Sequence, residues 1–572
     1  MNKKLGSIAL SLFLCGGTAL AQNAVSGTVV DENGEPVVGA SVIIKGTRLG
    51  VVTDVDGKFV LPSVPKSGKS VTISYIGMET KEVQIKPNMK ITLSEDANSL
   101  DEVVVQVAYG SAKKSTLTGA VTQVGSEQLE KRPVSSVTAA LEGSTSGVQI
   151  NSTYGQPGED ASIRIRGFGT VNGNSDPLYV LDGVPYDGNI SDLNPNDIES
   201  ITVLKDAASC ALYGNRASNG VILITSKKGK NGKMQFEFRA NLGTYNRGIS
   251  EYSTMNANQF MEASWMDLRN SRITAGDDAA TAAAYATNNL ISERLYLNIY
   301  NKADNELFDS NGKLVSDAQI LDGYLDDLDW YDQTIQSGAR QEYNFSGSQS
   351  SEKSDYYFSL GYLDENGYVS NSGFNRLTGR ANMNFRPKKW FNTGFSINGS
   401  HQTTDFSNGD ASNSYTNAFM YCRYIAPIYP VHLHNSDGTY MLDASGNKQY
   451  DPGYYTDSDG NIVFTRNQFS DRHVIWENEL NENRTYRNTL ASNAYFTFKL
   501  PYNFSFTVNG SLNTVNKENR YYNNATIGDG KGNNGRAMRE YYRYKTYTVQ
   551  EQLKWNHEFG KHSVDVLLGH EN

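Results

Sequence analysis

Cysteine is scarce in this sequence: Cys15, Cys210 and Cys422 are the three that occur in 572 residues. Cys15 lies in an apolar N-terminal segment, and the other two are far apart along the chain. Two thiols are too few for a disulfide framework, and they lack the spacing of zinc ligands. We therefore interpret both as incidental to the function.

Long apolar runs and excess positive charge are also missing. No run reaches the ~18 residues of a membrane-spanning helix, and the mean hydropathy is −0.51. The formal net charge is −10, whereas a general nucleic-acid binder normally has a basic face. We therefore expect no nucleic-acid partner. A β-barrel is the remaining way to span a membrane, and the 35 tyrosines and 22 phenylalanines favour β structure over disorder.

Catalytic motifs are absent as well, since the sequence has no nucleophile elbow, phosphate-binding loop or HExxH motif. His432 and His434 are two residues apart, but no third metal ligand is evident near them. Residues 457–461 resemble the opening of a calcium loop, yet Gln468 stands where that loop needs glutamate. A hairpin turn is the preferred interpretation there. We expect no enzyme, no cofactor and no metal.

The N-terminus has the pattern of a secretory signal. Two lysines precede a short apolar core at 5–14, and small residues occupy the two positions that signal peptidase reads. Residues 1–21 are predicted to be removed by cleavage between Ala21 and Gln22. A lipoprotein signal with acylation at Cys15 is the alternative, and the large residue before that cysteine disfavours it.

Residues 22–95 contain short alternating segments with Gly or Asp turns every 8–12 residues, which predicts a small β-sandwich. The run Gly27-x-Val29-x-Asp31-x-x-Gly34-x-Pro36-x-x-Gly39-Ala40 resembles the carboxypeptidase-regulatory-like domain. That resemblance implies a seven-stranded, Ig-like or transthyretin-like sandwich without a catalytic group. A generic extracellular β module is the alternative, and it implies the same structural or docking role.

The linker 96–108 contains a β-branched run. Its members are Val103, Val104, Val105, Gln106 and Val107. Such a run favours a strand, but the linker offers it no sheet of its own. It either joins a neighbouring domain or pairs with the sheet edge of a partner by β-augmentation.

Residues 109–228 mix short strands with short helical segments, which predicts an α/β domain. Three ordered motifs stand out in it, namely Leu178-Tyr179-Val180-Leu181-Asp182-Gly183-Val184-Pro185, NDIESITVLKDAAS at 196–209 and LYGNRASNGVILIT at 212–225. Together they resemble the plug domain of SusC/RagA-like TonB-dependent outer-membrane transporters. The sandwich that precedes them is also typical of that family.

The resemblance implies a set of plug motif residues and a TonB box. The plug set is Arg164, Arg166, Asp182, Gly183, Pro185, Tyr213, Gly214, Arg216 and Gly220. Arg164 and Arg166 share one face of a predicted strand, and we expect them to form plug-to-barrel ion pairs, with ligand contacts as the alternative. The family keeps its TonB box at the position of 101–110, which favours partner pairing for the linker strand.

The resemblance also implies partners and a function. An inner-membrane TonB-ExbB-ExbD complex would pull on the TonB box, so that the plug shifts or partly unfolds and the lumen opens. A SusD-like outer-membrane lipoprotein would cover a barrel that sits in outer-membrane lipid, with the N-terminal domain in the periplasm. The nutrient would be a large oligosaccharide or an oligopeptide, and its import needs no covalent chemistry.

Residues 229–572 are predicted to form a transmembrane antiparallel barrel, because apolar and polar residues alternate along them. In the segment 356–362, for example, Phe358 and Leu360 alternate with Ser359 and Gly361. A soluble sandwich would alternate in the same way, and the plug resemblance favours the barrel. Nine strands are expected, near 234–243, 341–349, 354–363, 374–386, 390–402, 485–499, 503–515, 543–556 and 562–569.

Long polar inserts separate some of these strands. Helices are predicted at 256–270 and 277–293, and the insert 403–483 is rich in tyrosine. Its tyrosines are expected to pack within the loop or lie at the lipid interface, with stacking on sugar rings as the alternative.

The predicted fold class is mostly β, with a small sandwich, an α/β plug and an incomplete transmembrane antiparallel β-barrel. Plugged transporters need ~22 strands to enclose a plug, so nine strands resemble the N-terminal half of a transporter, and a fragment is expected. Two alternatives remain open. One is a TonB-dependent siderophore or cobalamin receptor, which the sandwich disfavours. The other is a secreted β-rich adhesin or carbohydrate-binding protein.

Overall fold

The computed structural model describes residues 25–94, 104–107, 110–113, 121–151, 156–206, 210–406 and 417–572, except for short gaps at 32–33, 46, 48, 63, 66–68, 76–77, 79, 132–135, 171, 231, 457–458, 460 and 561. The chain divides into two compact units, and the boundaries between them fall between residues 105 and 118. The predicted signal with Ala21 and Gln22, and the linker residue Val103, lie outside the described residues.

The first unit is a seven-stranded sandwich, as the resemblance implies. Its strands are β1 (Val25–Val30), β2 (Ser41–Ile44), β3 (Gly50–Val52), β4 (Lys58–Leu61), β5 (Ser70–Ser74), β6 (Lys81–Gln84) and β7 (Met89–Thr92). They form two sheets with the orders β4-β1-β7 and β3-β2-β5-β6. Alternate residues such as Val42 and Ile44 are fully buried in its core. Gly27 permits close packing, because a Cβ there would lie 2.7 Å from the Phe59 ring.

Two short strands follow, β8 (Val104–Val107) and β9 (Gly110–Lys113). In the described part of the chain they pair with each other as a separate two-stranded sheet. The strand predicted for the β-branched run is confirmed. The expectation that this run has no sheet of its own is wrong, because β9 supplies a pairing strand a few residues later.

The α/β domain begins the second unit, and we call it the plug. Its elements are β10 (Val121–Gly125), α1 (Ser126–Glu130), α2 (Val137–Ala140), β11 (Val148–Asn151), β12 (Ser162–Ile165), β13 (Leu178–Leu181), β14 (Val184–Pro185), β15 (Ile198–Leu204) and β16 (Val221–Ser226). The main sheet has the order β10-β15-β16-β13-β14, and β11 pairs with β12. Strands β13 and β16 are parallel, and the other pairs are antiparallel. The central strands β15 and β16 carry nearly continuous apolar runs because both of their faces are buried.

A nine-stranded antiparallel sheet follows the plug, and we call it the large sheet. Its strands are β17 (Gln235–Tyr245), β18 (Gly338–Ser350), β19 (Ser354–Asn366), β20 (Gly373–Lys388), β21 (Phe391–Asp405), β24 (Glu482–Lys499), β25 (Phe504–Asn523), β26 (Arg536–Phe559) and β27 (His562–Glu571). All nine predicted strands are present, and they pair in chain order. Short turns connect strands at one end, and the inserts 246–337 and 406–481 leave from the other end.

The faces of the large sheet reverse the usual burial pattern of a soluble protein. On β20 the polar side chains of Arg376, Thr378 and Arg380 are 2–4% exposed, whereas Leu377 between them is 54% exposed. The same holds on β19, where Ser359 is buried and Leu360 is 60% exposed. Apolar side chains outside and polar side chains inside are the pattern of a membrane barrel, so the predicted assignment of the two faces is confirmed.

The large sheet is open in the described residues. Strand β17 pairs with β18 alone, and β27 pairs with β26 alone, so both outer strands keep an unpaired edge. Unpaired backbone groups are costly in lipid. The nine strands therefore form part of a barrel wall rather than a closed barrel.

The inserts fold into a module at the long-loop end of the large sheet, which we call the cap. Its helices are α3 (Ala257–Thr274), α4 (Ala279–Leu290), α5 (Asp322–Leu325), α6 (Trp330–Thr334), α7 (Ala418–Tyr424) and α8 (Val474–Leu480), with a hairpin of β22 (Tyr454–Thr456) and β23 (Ile462–Thr465). The two predicted helices are confirmed as α3 and α4. Asn256 and Asp278 cap them by accepting hydrogen bonds from first-turn N–H groups. None of the helices that the structure describes is long and apolar enough to cross a bilayer.

Three turns of the cap share one geometry. Asp309, Asn435 and Asp443 each begin one of these turns. The backbone N–H of each donates to the carbonyl of the residue four positions later, and its own carbonyl accepts from the N–H of the glycine three positions later, at 2.8–3.1 Å. These glycines have φ near +80°, which glycine adopts without strain. The hairpin predicted at 457–461 has the same sequence pattern, in which Asp or Asn is followed three residues later by glycine. Three of its residues lie outside the described part, but the flanking strands β22 and β23 pair antiparallel as expected.

Candidate transport site between the plug and the large sheet

The plug contacts the inward face of the large sheet mainly through hydrogen bonds and ion pairs. The inward face carries the buried polar residues of β18 to β21 and β24, and the plug presents two segments to it. One is the turn after β13. The other is the segment 191–197, which we call the docking segment. Polar contacts of this kind can exchange with water one at a time, whereas a continuous apolar interface could separate only at a large hydrophobic cost.

Asp182 is the central contact of the first segment. It has φ +50° and precedes Gly183 with φ +90°, so the chain turns tightly between β13 and β14. Its carboxylate accepts from Nη2 of Arg380 on β20 at 2.6 Å. It also accepts from the hydroxyl of Ser226 at 2.7 Å and from the N–H of Ser226 at 2.9 Å. Asn382 continues the contact by donating to the Ser226 hydroxyl at 3.0 Å.

The docking segment reaches β18 and β19 through side chains. The Asn194 side chain donates to Oδ1 of Asn344 at 2.7 Å, and the Asn196 side chain donates to Oε1 of Glu342 at 2.9 Å. The hydroxyl of Tyr357 donates to Asp197 at 2.9 Å. Pro195 follows the capping residue Asn194 at the start of a 3-10 turn, and this sequence holds the polar side chains on one surface.

The other end of the docking segment is buried against β20, β21 and β24. Arg376 donates to the carbonyls of Ser191 and Leu193 at 2.7 and 3.1 Å. Asp192 forms an ion pair with Arg487 at 2.9 Å and accepts from Gln402 at 3.1 Å. Burial raises the pKa of Asp192 to about 6, against the opposing effect of Arg487.

A further contact joins α1 to the first strand of the large sheet. Glu130 lies 2.5 Å from Nζ of Lys227 and 2.9 Å from Nη2 of Arg239 on β17. Burial tends to raise the pKa of Glu130, but the hydrogen bonds from these two cations outweigh it and lower that pKa. Glu130 therefore stays ionised and links the plug to β17.

Comparison with known proteins agrees with this architecture. The TonB-dependent receptor plug domain matches residues 113–221, and the CarboxypepD_reg-like domain matches residues 25–105. TonB-dependent receptor P39 of Formosa agariphila is 32% identical over 96% of this chain and 46% of its own length. TonB-dependent receptor SusC of Bacteroides thetaiotaomicron is 35% identical over 67% of this chain and 34% of its own length.

The chain belongs to the SusC/RagA-like family of TonB-dependent receptors. It spans half or less of the length of these two relatives, at 46% and 34%. Among solved structures, the RagAB peptide importer in its closed-closed state matches 80% of this chain and 47% of its own chain, with a TM-score of 0.58 and 21% identity. At that identity the match shows a shared fold.

The structure places the predicted plug residues in three different roles. Asp182, Gly183 and Pro185 form the turn that contacts Arg380. Arg216 forms an ion pair with Glu571 on β27 and so makes a further contact with the large sheet. Tyr213 and Gly220 are buried within the plug, whereas Gly214 is exposed, and both glycines have positive φ.

The expectation that Arg164 and Arg166 pair with the barrel is wrong. Arg164 forms an ion pair with Asp176 inside the plug at 2.6 Å, and its guanidinium lies 5.6 Å from the Phe168 ring. Arg166 is exposed, with φ +59°, and no barrel carboxylate in the described residues pairs with it. Strand β12 pairs with β11 in the small second sheet of the plug and ends at Ile165, and Arg166 follows it in a left-handed conformation, so the predicted shared face does not form.

The cap of the receptor is built around aromatic residues. Trp330, Tyr421 and Tyr429 are buried in one hydrophobic cluster. The predicted packing of loop tyrosines is therefore confirmed for Tyr421 and Tyr429, whereas Tyr424 is 63% exposed. Trp330 stacks obliquely on His473, whose pKa burial lowers to about 3, so this imidazole stays neutral.

His432 and His434 both bond to Asp327 in the cap. The ring-nitrogen-to-oxygen distances are 2.7 and 2.9 Å, and the Asp327 side chain is fully buried. Burial tends to raise the pKa of Asp327, but the hydrogen bonds from the two histidines outweigh it and hold that pKa well below its usual value. The pair therefore anchors the insert at 432–450 to the segment before α6.

Sequence reasoning missed most of the contacts that hold the plug. Asp192, Asn194, Arg376, Gln402 and Arg487 were not singled out, because no motif marks them. The available signal was the alternation of the strands. Once the apolar positions of a strand are assigned to lipid, polar or charged residues at the remaining positions face the plug.

Proposed function

We propose that this receptor acts in an outer-membrane, TonB-coupled importer of the SusC/RagA type. The contact that carries the proposal is the hydrogen-bonded plug, which sits against the inward polar face of a sheet whose outward face is apolar. An inner-membrane TonB-ExbB-ExbD complex supplies the force, a SusD-like outer-membrane lipoprotein covers the barrel, and the N-terminal domain lies in the periplasm. The nutrient is a large oligosaccharide or an oligopeptide, and no covalent reaction takes place.

The proposal divides the chain into five segments. They are a signal peptide at 1–21, a carboxypeptidase-regulatory-like sandwich at 22–95, a linker with the TonB box at 96–108, the plug at 109–228 and the first part of the barrel at 229–572. Cleavage occurs between Ala21 and Gln22. In this scheme the TonB box is the run that includes β8.

Force enters through β8 and is resisted by the plug contacts described above. A strand binds a partner by β-augmentation through the N–H and C=O groups of its free edge. Pairing with β9 occupies one edge of β8. TonB would therefore pair with the other edge or replace β9.

Placing proline at Val104 and Val105 tests the proposal, because proline removes two N–H donors and resists strand pairing. Binding of the purified C-terminal domain of TonB should be lost in surface plasmon resonance, and uptake in cells should collapse while ligand still binds at the cell surface. The matched control is Val104→Ala with Val105→Ala, which keeps both donors and should keep both activities. Unchanged uptake with the proline variant would show that β8 is only a linker.

A further inference from the structure

Two small cavities separate the plug from the inward face of β21, β24 and β25. One has a volume of about 30 Å³ and lies between the turn at Asp182 and these strands. The other has a volume of about 20 Å³ and lies beside Gly188. Among the described plug residues, Tyr186 alone lines both cavities, and it is 5% exposed. Its side chain therefore stands between two water-sized spaces.

The strands opposite these cavities present small, uncharged side chains. Each of β21, β24 and β25 pairs on both sides, so the described sheet fixes its inward face. The neighbouring strand β20 differs, because its inward side chains include Arg376 and Arg380. Pairing places six small residues in two adjacent rows across the three strands, and we call them the neutral lane: Asn398, Ala491 and Asn513 form one row, and Ser396, Asn493 and Ser511 form the other.

The plug makes no hydrogen bond to the neutral lane within the part of the chain that the structure describes. Asn398 is 3% exposed, yet neither its Nδ2 nor its Oδ1 has a hydrogen-bond partner there. The buried hydroxyl of Ser511 has none either. Buried polar groups are normally hydrogen-bonded, so these atoms indicate a polar occupant that is not the plug.

Ion pairs hold the plug beside the neutral lane rather than on it. Asp182 bonds to Arg380 on β20, and Asp192 pairs with Arg487, which lies toward the long-loop end of β24. Tyr186 turns its hydroxyl to Asp192 of the plug, at 3.4 Å, and meets the lane through its ring. Because fewer polar contacts have to break there, a pull on the plug separates it from the lane before it separates it from β20.

We propose that the neutral lane is the passage by which an uncharged, hydroxyl-rich ligand crosses the plug, and that Tyr186 is its gate. Serine and asparagine side chains offer both donors and acceptors to hydroxyl groups. A passage needs contacts that are several and weak, because the ligand must leave as readily as it enters. These properties favour an oligosaccharide over a charged peptide. The proposal rests on the import function proposed above.

The test measures currents in planar lipid bilayers that contain the receptor purified from the outer membranes of its own cells. Urea on the periplasmic side loosens the plug, and potassium chloride carries the current. Ser511→Asp should raise the permeability of K⁺ relative to Cl⁻ by roughly five-fold, which is the effect of a unit charge ~4 Å from a passing ion in water. The matched control is Ser359→Asp on β19, where the hydroxyl is also buried and unpartnered in the described residues. It should leave the permeability ratio unchanged.

A second pair of variants tests the gate. Tyr186→Ala should produce a K⁺ leak without urea, because it joins the two cavities. Tyr213→Ala removes a tyrosine that is equally buried but lies in the plug interior, and it should produce no leak. Equal leaks from the two variants would show that any loosening of the plug opens the barrel, and that Tyr186 is not a gate.

The remaining outcomes also decide the question. A shift in permeability with both aspartate variants, or with neither, would overturn the proposal, since the plug would then leave the whole wall. Stachyose, an uncharged tetrasaccharide, should reduce the open-state current, and tetra-aspartate should not. A block by the peptide alone would assign the lane to charged peptides and refute the ligand class. A failure of the import proposal would appear separately, as absent uptake in cells with all of these currents as expected.

Discussion

Asp182→Ala is expected to loosen the plug from the large sheet. The substitution removes the acceptor for Arg380, whose side chain is 2% exposed, and for the hydroxyl and N–H of Ser226. Removing one partner of a buried ion pair costs about 3–5 kcal/mol, because the other charge stays buried without compensation. We therefore expect the free energy of plug unfolding to fall by about 3–5 kcal/mol.

Urea unfolding of the purified protein in detergent would measure this loss, and amide hydrogen exchange at Ser226 would localise it. The variant Asp182→Ala with Arg380→Met should recover most of the stability, since replacing both charges by apolar groups is often neutral. Asp176→Ala is the matched control. Its ion pair with Arg164 also has a 2.6 Å distance, but the Asp176 side chain is 52% exposed, so less than about 1 kcal/mol should be lost.

The outcome separates two explanations of the Asp182 contact. A loss below about 1 kcal/mol for Asp182→Ala, or no recovery in the double variant, would show that the ion pair does not hold the plug. Equal losses for Asp182→Ala and Asp176→Ala would show that burial at the large sheet adds nothing to the contact.

Four more predictions follow from the same structure. Burial raises the pKa of Asp192 to about 6, so the folded protein binds this proton more tightly than the unfolded chain does. The free energy of plug unfolding should therefore fall by up to about 3 kcal/mol as the pH rises from 4 to 6. Urea unfolding of Asp192→Asn should show no such pH dependence. Gly220→Ala should cost more than about 1 kcal/mol in urea unfolding, because φ is +93° there, whereas Gly125→Ala, in open space, should cost less. Residues 22–572 expressed alone with the signal should give no heat-modifiable, protease-resistant band on gels, because the large sheet keeps two unpaired edges; such a band would show a closed barrel. Mass spectrometry of the exported chain should find Gln22 at the N-terminus, and a retained Met1 or an acylated Cys15 would contradict it.

The strands of the large sheet show what local sequence patterns are sufficient to predict. The nine strands were predictable because each must present an apolar face to lipid, and a period of two leaves the other positions polar. The helices α3 and α4 were predictable because Asn256 and Asp278 are residue types that favour the N-cap position, where their side chains accept hydrogen bonds from first-turn N–H groups. In each case the physical cause acts within one strand or one turn.

The pairing of β8 with β9 shows what local sequence patterns do not predict. A β-branched run predicts an extended backbone, but it does not say which strand will satisfy its hydrogen-bonding groups. Arg164 shows the same limit for charge. The predicted alternation of charged and apolar residues along β12 is present in the structure. The partner of Arg164, however, depended on which sheet of the plug β12 joins.

The sequence alone therefore determined the elements of this receptor, the two faces of its strands and its family. These follow from the period of apolar residues, from caps and turns, and from ordered motifs. The tertiary structure decided which polar groups meet. Asp182 with Arg380, Asp192 with Arg487 and Tyr357 with Asp197 are each separated by more than 150 residues in the chain. Contacts of this kind arise only when the plug sits against the large sheet, because strand register and docking together bring the two groups within hydrogen-bond distance.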